Sequence, residues 1–252
     1  MSSTFTIDLQ ESFSKLKSAP IVEAILEIRT IAQADWNEDN ITKLLKTALP
    51  DYPHHQSLKS LEHLFKVEQG QPLEQQVSDL GWKGLRCESE DKKCIVQFYK
   101  DSFIFSQLQP YDCGDTFFNE ALKLWEIHKR IAQPTEIQRI GLRYVNRITV
   151  PQAGFNLEDY LTNPPEPPQD LEIPFTSFMH HETFNVPNYP YGINFVKAIQ
   201  EEQTIGLILD IDVFMNQPVA TDTMTLEKYL PEMRWLKNKV FANSITKKAL
   251  EV

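Results

Sequence analysis

RIGLRYVNRI, residues 139–148, places a guanidinium at every fourth position of a run that is otherwise apolar and β-branched. In an extended chain successive side chains point to opposite faces, so positions four apart share a face. Arg139, Gly141, Arg143, Val145 and Arg147 then line one side, and Ile140, Leu142, Tyr144, Asn146 and Ile148 line the other. The even side reads as the core side.

Two further segments follow the same rule. In PIVEAILEIRT (20–30), Val22, Ala24, Leu26 and Ile28 form an apolar face, while Glu23, Glu27 and Arg29 align with Ile21 and Ile25 opposite. In TIGLILDIDVFMN (204–216), Leu207, Leu209, Ile211 and Val213 oppose Gly206, Ile208, Asp210, Asp212 and Phe214. Three strands thus carry opposite charges on their non-core faces: Glu23, Glu27, Asp210 and Asp212 against Arg29, Arg139, Arg143 and Arg147. One arrangement is a solvated sheet face with cross-strand ion pairs, each worth ~0.2–1 kcal/mol. The other is a curled sheet whose guanidinium forks clamp phosphates or carboxylates while the paired carboxylates hold Mg²⁺. Arginine at all four cationic positions, in a chain where lysine predominates elsewhere, favours the groove.

The remaining pattern fixes the class. DWNEDNITKLLKTAL reads as a helix, with Asp35 as the expected N-cap and Ile41, Leu44, Leu45 and Ala48 on one stripe. Pro50 and Pro53 end it, and His54-His55 falls in the expected turn. From about 60 to 107 the period changes to two. Four strands are expected there, broken at Gly70–Pro72, Ser89–Asp91 and Lys100–Asp101. DCGDTFFNEALKLWEIHKRIA is the clearest helix, with Asp115 as its expected cap. After the arginine strand come a short helical piece, NLEDYL, and the proline-rich loop NPPEPPQD (163–170). Three strand candidates follow, FTSFMHHETFNV, YGINFVKAIQ and the 204–216 segment, and then a last helix in which Pro231 predicts a kink or break. Few βα alternations occur, which predicts an α+β fold of strongly curved, mostly antiparallel sheet with helices on one side. Residues 1–252 read as one compact unit of two halves, 20–133 and 134–252, each running strand, helix, strands, helix.

Composition narrows the function. The formal net charge of -10 argues against a general nucleic-acid binder, which needs a basic face. No run approaches the ~18–20 apolar residues of a membrane helix, and the N-terminus has no basic-then-apolar signal, so a soluble cytoplasmic protein is expected. Cys87, Cys94 and Cys113 match no metal spacing and read as small packed thiols, although Cys87 and Cys94 can face each other across a hairpin. His180 and His181 are neighbours in an expected strand, where they point apart and cannot chelate one ion together. With 8 glycines and no Walker, G-x-S-x-G or H-E-x-x-H pattern, a glycine-rich phosphate loop is not expected. No serine or cysteine stands in an activating context, which leans away from an enzyme.

Four blocks, APIVEAILEIR, FIFSQLQPYDCGDTFFNEALKLW, IQRIGLRYVNRITVP and KVFANSIT, occur in that order. The chain thereby resembles a sporadically distributed bacterial and archaeal family of similar length, with an "RiGLRYvNri" core and an "F...iT" tail. The family has no established activity and no catalytic residues to carry over. Its scattered occurrence is similar to that of phage-defence and toxin–antitoxin loci. The expected role is therefore a non-enzymatic binding protein that recognises a partner protein encoded nearby, or forms homo-oligomers. The alternative is a Mg²⁺-dependent phosphate- or nucleotide-binding protein or phosphohydrolase. In it Arg29, Arg139, Arg143 and Arg147 hold phosphates and Glu23, Glu27, Asp210 and Asp212 hold the metal.

Overall fold

A computed structural model of the chain describes residues 5–13, 19–66, 74–111, 114–151, 156–166, 168, 177–201 and 204–250. Its strands are β1 (Ile21–Ala32), β2 (His54–Lys66), β3 (Glu74–Glu88), β4 (Cys94–Tyr99), β5 (Ser102–Leu108), β6 (Pro134–Thr149), β7 (Met179–Asn185), β8 (Tyr191–Glu201) and β9 (Ile205–Met215). The helices are α1 (Glu38–Ala48), α2 (Gly114–Ala132) and α3 (Thr223–Ser244). All nine strands join one sheet in the order β2-β3-β4-β5-β1-β6-β9-β8-β7, and every neighbouring pair is antiparallel. The fold is α+β, and one sheet runs through both chain halves.

The centre of that sheet is the β1–β6 pair, with Leu26 opposite Leu142 and Ile28 opposite Ile140. On each side a meander returns to it. The β2–β5 strands end beside β1, and β7–β9 end beside β6. All three helices lie on the even, apolar face. Phe117 of α2 stacks on Phe105, and Trp125 of α2 packs edge-on to Phe103. Tyr191 of β8 meets Tyr229 of α3 and donates to Glu232. Glu38 of α1 accepts from Ser57 of β2. Leu26, Ile28, Phe103, Phe105, Ile140, Leu142, Leu209, Ile211 and Val213 are solvent-free beneath the helices. Full burial of an aliphatic or aromatic side chain contributes ~1.5–3 kcal/mol each, which makes this layer the main stabilising feature.

Local details differ from the expectations. Asn37, not Asp35, caps α1, because its side chain accepts from the Asn40 amide. Asp115 lies inside the first turn of α2 and pairs with Arg234 instead of capping. His54 and His55 are the first residues of β2, not a turn. The helix through Pro231 is continuous from Thr223 to Ser244, capped by Asp222. NLEDYL shortens to a single 3₁₀ turn, Leu157–Asp159. A bulge between Ile21 and Glu23 sends Ile21 to the core and leaves Val22 half-buried, the reverse of the simple alternation. Cys87 pairs in register with Val96 and Cys94 with Gln107, and both thiols are free. The Gly70–Pro72 turn, Cys113 and parts of the 163–170 loop and the 175–186 strand lie outside the described residues.

Candidate functional site

The register of β1, β6 and β9 decides what the odd face can do. Glu27 sits opposite Gly141, and Gly141 sits opposite Phe214, so nothing but hydrogen separates their side chains over the centre of β6. The Arg139 guanidinium folds into that space, where a Cβ on Gly141 would collide with it. From there Nη1 donates to Glu27 on β1, and Nη2 donates to Asp212 on β9 at 3.0 Å. Its carbon lies 5.6 Å from the Phe214 ring centroid. The glycine is therefore the residue that lets one arginine bridge two strands.

The bridge continues outward. Arg29 donates to the other oxygen of Glu27 at 2.8 Å. Asn194 of β8 donates to Asp212 at 3.3 Å and accepts from Thr183 of β7 at 3.0 Å. A polar chain thus crosses five adjacent strands, β1-β6-β9-β8-β7. One turn of the pleat away, Arg143 grips Asp210 with Nε and Nη2 on its two oxygens, the Nε contact at 2.8 Å. Hydrogen bonding to Asp210 raises the Arg143 pKa above its ordinary value. The two clusters differ in depth. The side chains of Arg139 and Asp212 are 17% and 18% exposed, whereas Arg143 is 48% exposed.

Arg147 behaves differently from the other three. Its Nη2 donates to the Thr204 carbonyl at 2.6 Å and to the Thr204 hydroxyl at 3.1 Å, and its guanidinium lies across Gly206. No carboxylate contacts it among the described residues, and its Nε is buried without a partner there. It borders a crevice of about 810 Å³ with Gln109, Thr149, Gln200 and Thr204. Glu23 faces Val145 and touches no guanidinium directly, acting on Arg143 only through its charge.

The structure therefore brings Glu27, Arg29, Arg139 and Asp212 together, sets Arg143 with Asp210, and leaves Arg147 and Glu23 apart. Four arginines and four carboxylates sum to zero on this face, within a chain of net charge -10. No group of three or more His, Cys, Asp or Glu able to hold a metal occurs among the described residues. Glu27, Asp210 and Asp212 are each already hydrogen-bonded to arginine.

Sequence reasoning did not single out Asn194, Thr183 or Lys197. Parity was the available signal for Lys197: it shares a face with Tyr191, Ile193 and Phe195 on the core side of β8. Two buried helical groups were also missed. Lys237 lies with its Nζ 3.9 Å from the Tyr144 ring centroid, and burial, with some help from Arg234, lowers its pKa to about 7. His128 stacks on Trp125 and Phe98 with neither ring nitrogen hydrogen-bonded among the described residues, and burial lowers its pKa to about 3. No helix among the described residues is long and apolar enough to cross a membrane. No protein-family model matches the chain, and no curated protein matches it.

Proposed function

We propose that the chain is a non-enzymatic binding protein that engages a partner protein through the odd face of its sheet. The observation that carries this reading is the cross-strand lattice from Arg29 to Thr183. All three helices pack on the opposite face, and the lattice holds its charges in mutually fixed positions. A neutral, pre-ordered surface with half-buried Ile25, Val145, Ile208 and Phe214 between its charges has the character of a protein interface, where polar groups set register and apolar ones add affinity. The chain's resemblance to a family with scattered occurrence supports a partner encoded by a neighbouring gene. The matching layout of β1 with its meander and β6 with its meander supports descent of the two halves from one repeated unit.

The test is co-expression with the products of adjacent genes, followed by size-exclusion chromatography of the wild-type chain and Arg143→Glu. Arg143 is exposed enough that charge reversal spares the core. Loss of a co-eluting complex is the expected result. A complex that survives Arg143→Glu and Val145→Asp together would move the interface elsewhere, and no complex at all would end the reading.

A second reading keeps Arg147 as an anion ligand, since it borders an open crevice and has no carboxylate on it among the described residues. In the Mg²⁺-phosphate version, Arg29, Arg139 and Arg143 must first release Glu27, Asp210 and Asp212. Calorimetry with tripolyphosphate, with and without Mg²⁺, distinguishes the readings. Saturable heat that disappears in Arg147→Ala favours the anion, and flat traces remove it.

A further inference from the structure

On the helix side of the sheet, beneath edge strand β7, lies a cavity of about 470 Å³. Phe184 of β7, Phe195 of β8, Phe5 from the N-terminal segment and Val240 of α3 give it apolar walls. Its volume lies within the ~300–1,000 Å³ typical of small-molecule sites, which pair apolar walls with a few fixed polar groups. Lys197 is the fixed polar group here. Its side chain is 8% exposed, held beneath α3 by its place on the core face of β8. An ammonium carries three N–H donors. One is turned to Glu182 at 3.2 Å, and the Phe195 ring centroid stands 5.4 Å away. Among the described residues the remaining donors meet no carboxylate and no carbonyl. Lys239, on the next face of α3, brings a second cation to the rim, where it pairs with Glu11. Asn163, Thr162, Asn243 and Ser244 complete the rim.

A mostly buried ammonium beside an aromatic cavity, with one carboxylate on it, keeps donors for a ligand's acceptor. Lys197 and Lys239 both reach this cavity, the first paired with Glu182 and the second with Glu11, so two ammonium groups stand at its polar end. We propose that this cavity binds a small aromatic anion. Its ring lies among Phe5, Phe184 and Phe195, and its acidic head accepts from Lys197 with Lys239 beside it. Glu182, one-third exposed, pairs with the ammonium at 3.2 Å and fixes its direction. The site lies on the face of the sheet opposite the arginine lattice and is independent of the partner-binding reading.

The probe is 8-anilinonaphthalene-1-sulfonate, an aromatic anion whose fluorescence rises in apolar surroundings. Titration of the full folded chain is expected to show one saturable site. Lys197→Met weakens it by at least about tenfold, one charge-assisted contact being worth ~1.5–3 kcal/mol. Asn243→Trp, an exposed rim position, abolishes it by blocking the mouth, whereas Lys100→Ala in the exposed β4–β5 turn leaves it unchanged. Phenyl phosphate or benzoate displaces the dye, the better competitor identifying the head group, and benzylamine does not. Unaltered binding in Asn243→Trp, displacement by benzylamine, or no saturable site overturns the proposal. Where Lys197→Met fails to fold by circular dichroism, Asn243→Trp decides.

Discussion

Replacing Lys237 by methionine should stabilise this protein, and by an amount that depends on pH. The side chain emerges from the middle of α3 onto the Tyr144 ring, with Arg234 as its nearest like charge. A pKa lowered from 10.5 to about 7 means that the folded state opposes the charged form. At 1.36 kcal/mol per pK unit the penalty for folding with the charge on is on the order of 5 kcal/mol. The ring face returns up to ~2 kcal/mol, leaving about 3. The sign follows from proton counting. Between pH 7 and 10.5 the unfolded chain holds the lysine proton and the folded chain has released it. Wild-type stability therefore rises across that window and is lower by the full penalty below pH 7. Methionine keeps the length of the stem and removes the titration. Urea unfolding at pH 6 should show Lys237→Met more stable by about 3 kcal/mol, or ~6–12 °C in melting temperature. At pH 10 the gain should shrink to under ~1 kcal/mol. A gain of equal size at both pH values, or a loss at pH 6, would refute the picture of an ionisable group held against its charge.

Other outcomes follow from the same packing. His128→Phe should stabilise most at acidic pH, because the folded imidazole titrates near 3 and the unfolded one near 6.5. Wild-type stability is thus lost as pH falls from about 6.5 toward 3, and the phenylalanine variant should flatten that limb in a pH series of thermal melts. Arg143→Ala should cost under ~1 kcal/mol in denaturant titrations, since its pair with Asp210 is half exposed. Arg139→Ala should cost more, ~1–3 kcal/mol, because it takes a charged donor from two mostly buried carboxylates, leaving Glu27 with Arg29 and Asp212 with Asn194. Gly141→Ala evicts the same guanidinium, so the double variant with Arg139→Ala should be less destabilised than the two single costs added, a coupling read from a double-mutant cycle. Cys87, buried with its thiol pushed up to about 12, should resist Ellman's reagent in the native state and react on unfolding.

Faces were legible in the sequence, and partners were not. The assignment of Arg139, Arg143 and Arg147 to one side of β6 needed only parity, because every even-numbered residue from Ile140 to Ile148 packs into the core or, as Asn146 does, bonds neighbouring backbone there. Parity cannot say that Arg139 stands between Glu27 and Asp212 and not beside Glu23. That depends on registers between strands far apart in the chain, and on a glycine whose meaning appears only when a guanidinium lies over it. The bulge at Val22 and the start of β2 at His54 failed for a related reason. A one-residue slip or a proline-flanked entry leaves no periodic trace over so short a span. Lys237 and His128 were invisible because helical lysines and histidines are usually solvated. Their burial is imposed by the sheet that each helix lies on.

The β1–β6 seam has a kinetic consequence. Each meander is made of strands adjacent in the chain and can zip locally, but Ile28 must find Ile140 more than a hundred positions away. Closing that loop loses chain entropy before any seam contact forms. The nucleus that commits the whole sheet therefore sits at its middle, and conservative truncations in β1 or β6 should slow refolding while the same truncations in β2 or β7 chiefly hasten unfolding. The sheet grows as two wings that wait for their spine.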